Sequence, residues 1–231
     1  DDLDNRALGG VKIDVIMGRD AGFLAAAAAL GRTEPSDGPH LIYLPERPFS
    51  LKGFAKDVEA TMKTFGRCVV AVSEGIRDAK GVPVAAAFST EKDSHGNAQF
   101  SGTGALGDML AKFLKAETGI KRVRADTFGY LQRSFPGIAS PVDAREARGV
   151  GAMAVKCAIA GRQASGTITI QRRPGRKYAS FFVWHPLADV ARDARSLPDA
   201  CIARNGHDVT KAYLAYARPL VGPLPPKATF V

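Results

Sequence analysis

Apolar residues in the first half of the chain follow two alternating periods. Residues 11–17 (VKIDVIM) predict a strand, 21–30 a helix, 40–45 (HLIYLP) a strand, 50–65 a helix and 67–73 (RCVVAVS) a third strand. Ser50 stands where an N-cap opens the second helix, and Gly31 and Gly66 stand where C-caps belong. A polar loop at 90–99 (TEKDSHGNAQ) leads to a helix at about 103–116 and a strand at about 121–127. Strands and helices alternating over short connections predict an α/β fold with a mainly parallel sheet.

Beyond Arg133 the pattern changes. Ser140 as N-cap, Pro141 at the first helical position and Asp143 in the first turn predict a long helix ending near Gly161. Residues 166–184 (GTITIQRRPGRKYASFFVW) predict a hairpin with Pro174-Gly175 at its turn, and the tail predicts short helices before a proline-rich end.

Composition narrows the class. With 231 residues, 45% hydrophobic and 24% charged, the chain belongs among globular proteins of one large or two small domains. The alanine-rich run at 23–30 falls far short of the roughly 20 residues that span a bilayer, so no membrane segment is expected. The acidic opening DDLDNRALGG has neither an initiating methionine nor the features of a signal peptide, and suggests a piece of something longer. Cys68, Cys157 and Cys201 are widely spaced in apolar surroundings, which suits thiols in a reducing compartment, the cytoplasm by default. A net charge of +9 admits nucleic acid, an anionic membrane surface or phosphorylated small molecules.

The positions of the arginines separate these. Ligands of open parallel sheets gather at the carboxyl ends of the strands. There the sequence reads Met17-Gly18-Arg19, Pro45-Glu46-Arg47, Ser73-Glu74-Gly75, and Arg124 running into FGYLQR. A guanidinium fork matches phosphate oxygens and a carboxylate accepts from sugar hydroxyls, so the set suits a phosphorylated sugar. Each arginine taken alone fits an ordinary surface ion pair equally well, and Glu46 and Arg47 are the weakest of the set. Residues 102–107 (GTGALG), with Asp126 downstream, match a dinucleotide fingerprint, but a poor strand precedes them and they read better as a helix entry. The basic cluster at 172–177 (RRPGRK) reads as a solvated hairpin turn, and no nucleic-acid partner is expected. His40, His95, His185 and His207 lack metal-ligand spacing with the cysteines.

The segments MGRDAGF, LIYLPERPF, VVAVSEG, TFGYLQRSFPG, SPVDAREARGVGAMAV and YARPLVG, in this order over nearly the whole chain, resemble the phosphofructokinases, specifically their pyrophosphate-dependent group. The resemblance implies a three-layer αβα phosphofructokinase-like fold. Residues 1–133 would form a fructose 6-phosphate-binding lobe, 134–185 a long helix and hairpin returning toward the donor-binding lobe, and 186–231 C-terminal helices and a tail. It implies phosphoryl transfer from pyrophosphate to O1 of fructose 6-phosphate by a cytoplasmic homo-oligomer, dimer or tetramer. Met17, Gly18 and Arg19 would meet the sugar phosphate and the phosphoryl group in flight, with Arg19 catalytic. Glu74 would hold sugar hydroxyls, Tyr130 and Arg133 the 6-phosphate, and Arg124 would reach a neighbouring subunit's site.

Two departures accompany it. Many relatives carry an arginine where this chain has Gly10, with Lys12 and Lys121 as possible substitutes. The family's N-terminal half, with the donor-phosphate loop, the catalytic base and the Mg²⁺ ligands, has no counterpart here, so the 231-residue chain is expected to be inactive by itself and to hold no metal. Tyr130 and the RSF that follows resemble the pyrophosphate group. An ATP-dependent 6-phosphofructokinase is the first alternative, and an NAD-dependent oxidoreductase or a non-catalytic sugar-phosphate sensor are more distant ones.

Overall fold

A computed structural model describes residues 1–87, 104–135, 137–161, 165–175, 177–191 and 194–226, without the side chains of Ala86, Ala87, Gln132 and Arg133. The polar loop at 90–99, His95 and the start of the GTGALG motif lie outside the described residues. The chain divides into two units, 1–135 with 195–215 and 225–231, and 136–194 with 216–224.

In the first unit, strands β1 (Gly10–Ile16), β2 (Leu41–Tyr43), β3 (Arg67–Ser73) and β4 (Val123–Thr127) form a wholly parallel sheet in the order β2-β3-β1-β4. β3 is the continuous apolar run of the sequence and is buried at every residue, as a parallel strand covered on both faces must be. Side chains alternate across the sheet. Val11, Ile13 and Val15 of β1 join Cys68, Val70 and Val72 of β3 in one core. That core is closed by Phe54 and Val58 of helix α3 (Leu51–Phe65) and by Leu110 and Leu114 of helix α4 (Ala105–Thr118).

Two short helices contact the sheet besides these, α1 (Asp2–Leu8) and α2 (Phe23–Ala27), the latter continued by a 3-10 turn over Ala28–Gly31. Ala25 and Ala26 of α2 are fully buried, and their small side chains let the helix backbone approach the strands closely. The expected three layers are thus present. Ser50 accepts the Gly53 amide at 3.3 Å as N-cap of α3, and Gly66 closes that helix in the left-handed region, as expected from the sequence.

α1 escaped the sequence reading. Its polar side chains are held from far along the chain: Arg67, buried at the start of β3, donates to Asp2 at 2.6 Å, to Asn5 at 3.3 Å and to the Ser36 carbonyl at 2.6 Å.

The first unit also holds the short helix α5 (Leu131–Ser134), and the second unit contains helix α6 (Pro141–Ile159), an antiparallel hairpin of β5 (Gly166–Arg172) and β6 (Ser180–Pro186), and the short helix α7 (Leu187–Val190) that follows it. Ser140 caps α6 by accepting the Asp143 amide at 3.1 Å. Tyr178 donates to Glu146 at 2.6 Å, and the Arg172 guanidinium lies over the rings of Tyr178 and Tyr216, 4.8 and 5.6 Å from their centroids. Arg173 covers Phe181 at 4.9 Å, so these cations stack on the hairpin's own aromatics. The final helix, α8 (Lys211–Val221), carries Tyr213, whose hydroxyl donates to the Phe23 carbonyl at 2.6 Å within the first unit. No helix among the described residues is long and apolar enough to cross a membrane.

Candidate active site

Beyond the carboxyl ends of β1, β3 and β4 the first unit opens into a cleft of about 470 Å³. Met17, Gly18, Arg19 and Asp20 line it from β1, Glu74 from β3, Tyr130 from beyond β4, and Ala21 and Leu24 from the start of α2. Five of the residues singled out in the sequence are therefore brought together: Met17, Gly18, Arg19, Glu74 and Tyr130.

The loop after β1 is held by the loop after β3. Gly18 turns the chain with φ +151°, a left-handed conformation that L side chains rarely adopt. Its amide donates to the Glu74 carboxylate at 3.2 Å, and its carbonyl accepts from the Ser73 hydroxyl. Glu74 is 5% exposed, so its charge is directed at the loop and the cleft rather than at bulk water. Asp20, beside Arg19, pairs with Arg77 at 2.9 Å. The backbone of Arg77 is fixed in turn, since its carbonyl accepts the Phe49 amide at 2.7 Å and the residue bridges both Pro48 and Pro83.

Other expected positions lie elsewhere. Arg124 is exposed near the start of β4, in register with Lys12 and five residues short of Met17, about 16 Å along the strand direction, and it does not line the cleft. Arg133 belongs to α5, and its side chain lies outside the described residues. Glu46 faces inward and accepts the amides of Gly22 at 2.9 Å and Leu197 at 2.8 Å, while Arg47 pairs with Asp199 at 3.0 Å. Both act as neighbour-paired structural residues. Lys12 is bonded to Asp126 and lies 3.3 Å from Asp1.

The cleft's donor set does not fit a Mg²⁺ ion. Its two carboxylates, Asp20 and Glu74, are engaged by Arg77 and by the Gly18 amide. Among the described residues three acidic groups converge at Asp1, Asp14 and Asp126, where the Lys12 ammonium already supplies the positive charge. Burial pushes the Asp14 carboxyl up to about 7 against the pull of Lys12, and its Oδ1 has no hydrogen-bond partner.

Asp20, Ala21 and Leu24 were not anticipated in the cleft. The carboxyl-edge rule follows strand ends, and these residues enter through the turn that starts α2. The doublet Arg19-Asp20 was the available signal, an arginine with its acidic neighbour on one loop.

A parallel sheet with an arginine- and carboxylate-lined cleft at its carboxyl edge defines an α/β domain with the layout of an open-sheet ligand site. The chain belongs to the phosphofructokinase family, whose profile (Phosphofructokinase) matches residues 5–158. It is 55% identical over 222 residues to the pyrophosphate--fructose 6-phosphate 1-phosphotransferase of Rhodospirillum rubrum, covering 95% of this chain and 54% of that protein. The enzyme of the same name from Xanthomonas campestris is 38% identical over 205 residues, with 89% of this chain and 48% of that protein covered. The crystal structure of a pyrophosphate-dependent phosphofructokinase from Marinobacter aquaeolei superposes with a TM-score of 0.78 at 30% identity, over 98% of this chain and 53% of that one. The chain spans about half the length of the curated relatives it matches.

Proposed function

We propose that the whole protein transfers a phosphoryl group from pyrophosphate to O1 of fructose 6-phosphate. The O1 oxygen attacks phosphorus, the bridging P–O bond of pyrophosphate breaks, the O1 proton leaves, and fructose 1,6-bisphosphate and phosphate result. The convergence of Arg19, Glu74 and the Gly18 backbone in one cleft carries this reading, because such transfer depends on positioning and charge neutralisation more than on covalent chemistry. Arg19 neutralises the transferred group, Glu74 accepts from sugar hydroxyls, Tyr130 and Arg133 hold the 6-phosphate, and Arg124 serves a neighbouring subunit's site. Mg²⁺ would be held by residues outside this chain and would supply positive charge beside the donor phosphates. The enzyme works as a cytoplasmic homo-oligomer.

The test is a coupled assay of the whole protein with pyrophosphate and with ATP, for the wild type, Arg19→Ala and Arg133→Ala. Turnover with pyrophosphate, a kcat lowered at least about 100-fold by Arg19→Ala and a mainly raised KM for Arg133→Ala are expected. Equal, small effects from both substitutions would remove the assignment.

A further inference from the structure

We propose that Asp20 and Arg77 are positioning residues for phosphoryl transfer, acting together as a latch that sets where Arg19 stands in the cleft. The inference rests on the function proposed above. Its basis is the way the loops are tied. The backbone of Arg77 is fixed on two sides, by Pro48 and Phe49 of the loop after β2 and by Pro83. Its Nη2 then reaches the Asp20 carboxylate at 2.9 Å, next in sequence to Arg19. The ion pair joins the loops after β1 and β3, and the backbone of Arg77 ties the loop after β2 to them.

The pair is too exposed to be a major stabilising element. The side chains are 33% and 54% exposed, and an ion pair in that setting adds little to stability. Its placement is more telling. Asp20 puts a carboxylate into a cleft that takes phosphates, an unfavourable choice unless the charge is neutralised where it stands. Arg77 does this from the loop after β3. The two halves of the latch therefore have unequal consequences. Without Asp20, the loop after β1 loses its tie while the cleft becomes more positive. Without Arg77, the loop loses the same tie and an unpaired carboxylate faces the phosphate.

The experiment compares Asp20→Asn, Arg77→Met and Arg77→Lys in the whole protein, using pyrophosphate and fructose 6-phosphate. Asp20→Asn lowers kcat about fivefold, the most that losing an ion pair of this exposure can shift the placement of Arg19, with KM unchanged or lowered. Arg77→Met lowers kcat similarly and raises KM, and Arg77→Lys recovers part of both. All three melt within about 4 °C of the wild type. Amide hydrogen exchange gives a second readout: Asp20→Asn speeds exchange of the Gly18 amide, held by Glu74, by about fivefold. A kcat within twofold of wild type for Asp20→Asn, or losses in all three variants that track melting temperature, overturns the latch. If the wild type turns over neither pyrophosphate nor ATP, the functional reading fails separately, and the Gly18 exchange rate alone decides: faster supports the latch, unchanged refutes it.

Discussion

A Cβ placed on Gly75 would lie 2.0 Å from the carbonyl oxygen of Arg19 and 2.6 Å from that of Gly18. The loop after β3 is pressed directly against the backbone of the loop that carries the arginine, and only a residue without a side chain allows it. Gly75→Ala must push the two loops apart. We expect kcat/KM to fall by about 100-fold or more, because displacement of a positioned group by about 1 Å has that effect. Steady-state kinetics of the variant check this, and near-wild-type activity would show that the contact is not needed.

Asp14 makes stability depend on pH. Its folded-state value, about 7, lies above the ordinary 3.8, because burial disfavours the charge. A carboxyl raised in this way binds its proton more tightly in the folded state. Its contribution is fully present below about pH 4 and is lost as pH rises to about 7, by an amount of the order of a few kcal/mol. Asp14→Asn should therefore melt higher than the wild type at pH 8 and show little difference at pH 4. Melting curves across that range decide it; equal pH slopes for the two proteins would refute it.

The core of the first unit gives a graded pair. Phe54 is 1% exposed and packs edge-on against Tyr43, with ring centroids 5.4 Å apart, so Phe54→Ala should cost about 3–5 kcal/mol. Ser50→Ala removes only the N-cap of the same helix and should cost about 1 kcal/mol. Urea titrations of both measure the ratio.

The proposed role of Arg124 predicts complementation between protomers. If Arg124 serves a neighbour's site, Arg19→Ala and Arg124→Ala protomers mixed as dimers place both defects in one site of each hybrid and leave the other intact. An equal mixture of the two nearly inactive proteins should then recover about a quarter of wild-type activity after subunit exchange. No recovery would confine Arg124 to its own subunit or to the surface.

Much of the fold was legible where one local signal decided it. β3 centres on the apolar run at 68–72, α3 has its cap and closing glycine, and α6 begins Ser-Pro. α1 was not legible, because Asp2, Asn5 and Arg6 look like a polar leader until Arg67 and Asp37 bind them from distant parts of the chain. At the cleft, the carboxyl-edge rule raised Arg19 and Glu74, and Tyr130 came from the resemblance to the phosphofructokinases. The same rule also raised Glu46, which instead spends its carboxylate on two backbone amides. Residue type shows what a side chain can bind, whereas the loop partners that claim it first appear only in three dimensions. Asp20 went unremarked for the same reason, since its significance depends on Arg77.

The strand order β2-β3-β1-β4 also bears on how the cleft comes into being. β1 is made first, but its partner β3 arrives only after the chain has passed through β2 and α3, and it must insert between two strands already synthesised. All seven residues of β1 pair with β3, from Gly10 with Arg67 to Ile16 with Ser73, and the last pair delivers Glu74 and Gly75 to the arginine loop. Such non-local pairing is slow to form. A nascent chain therefore displays Met17-Gly18-Arg19 long before it can grip a phosphate, and anion binding would report the final closure of the sheet, after any marker of helix content has reached its plateau.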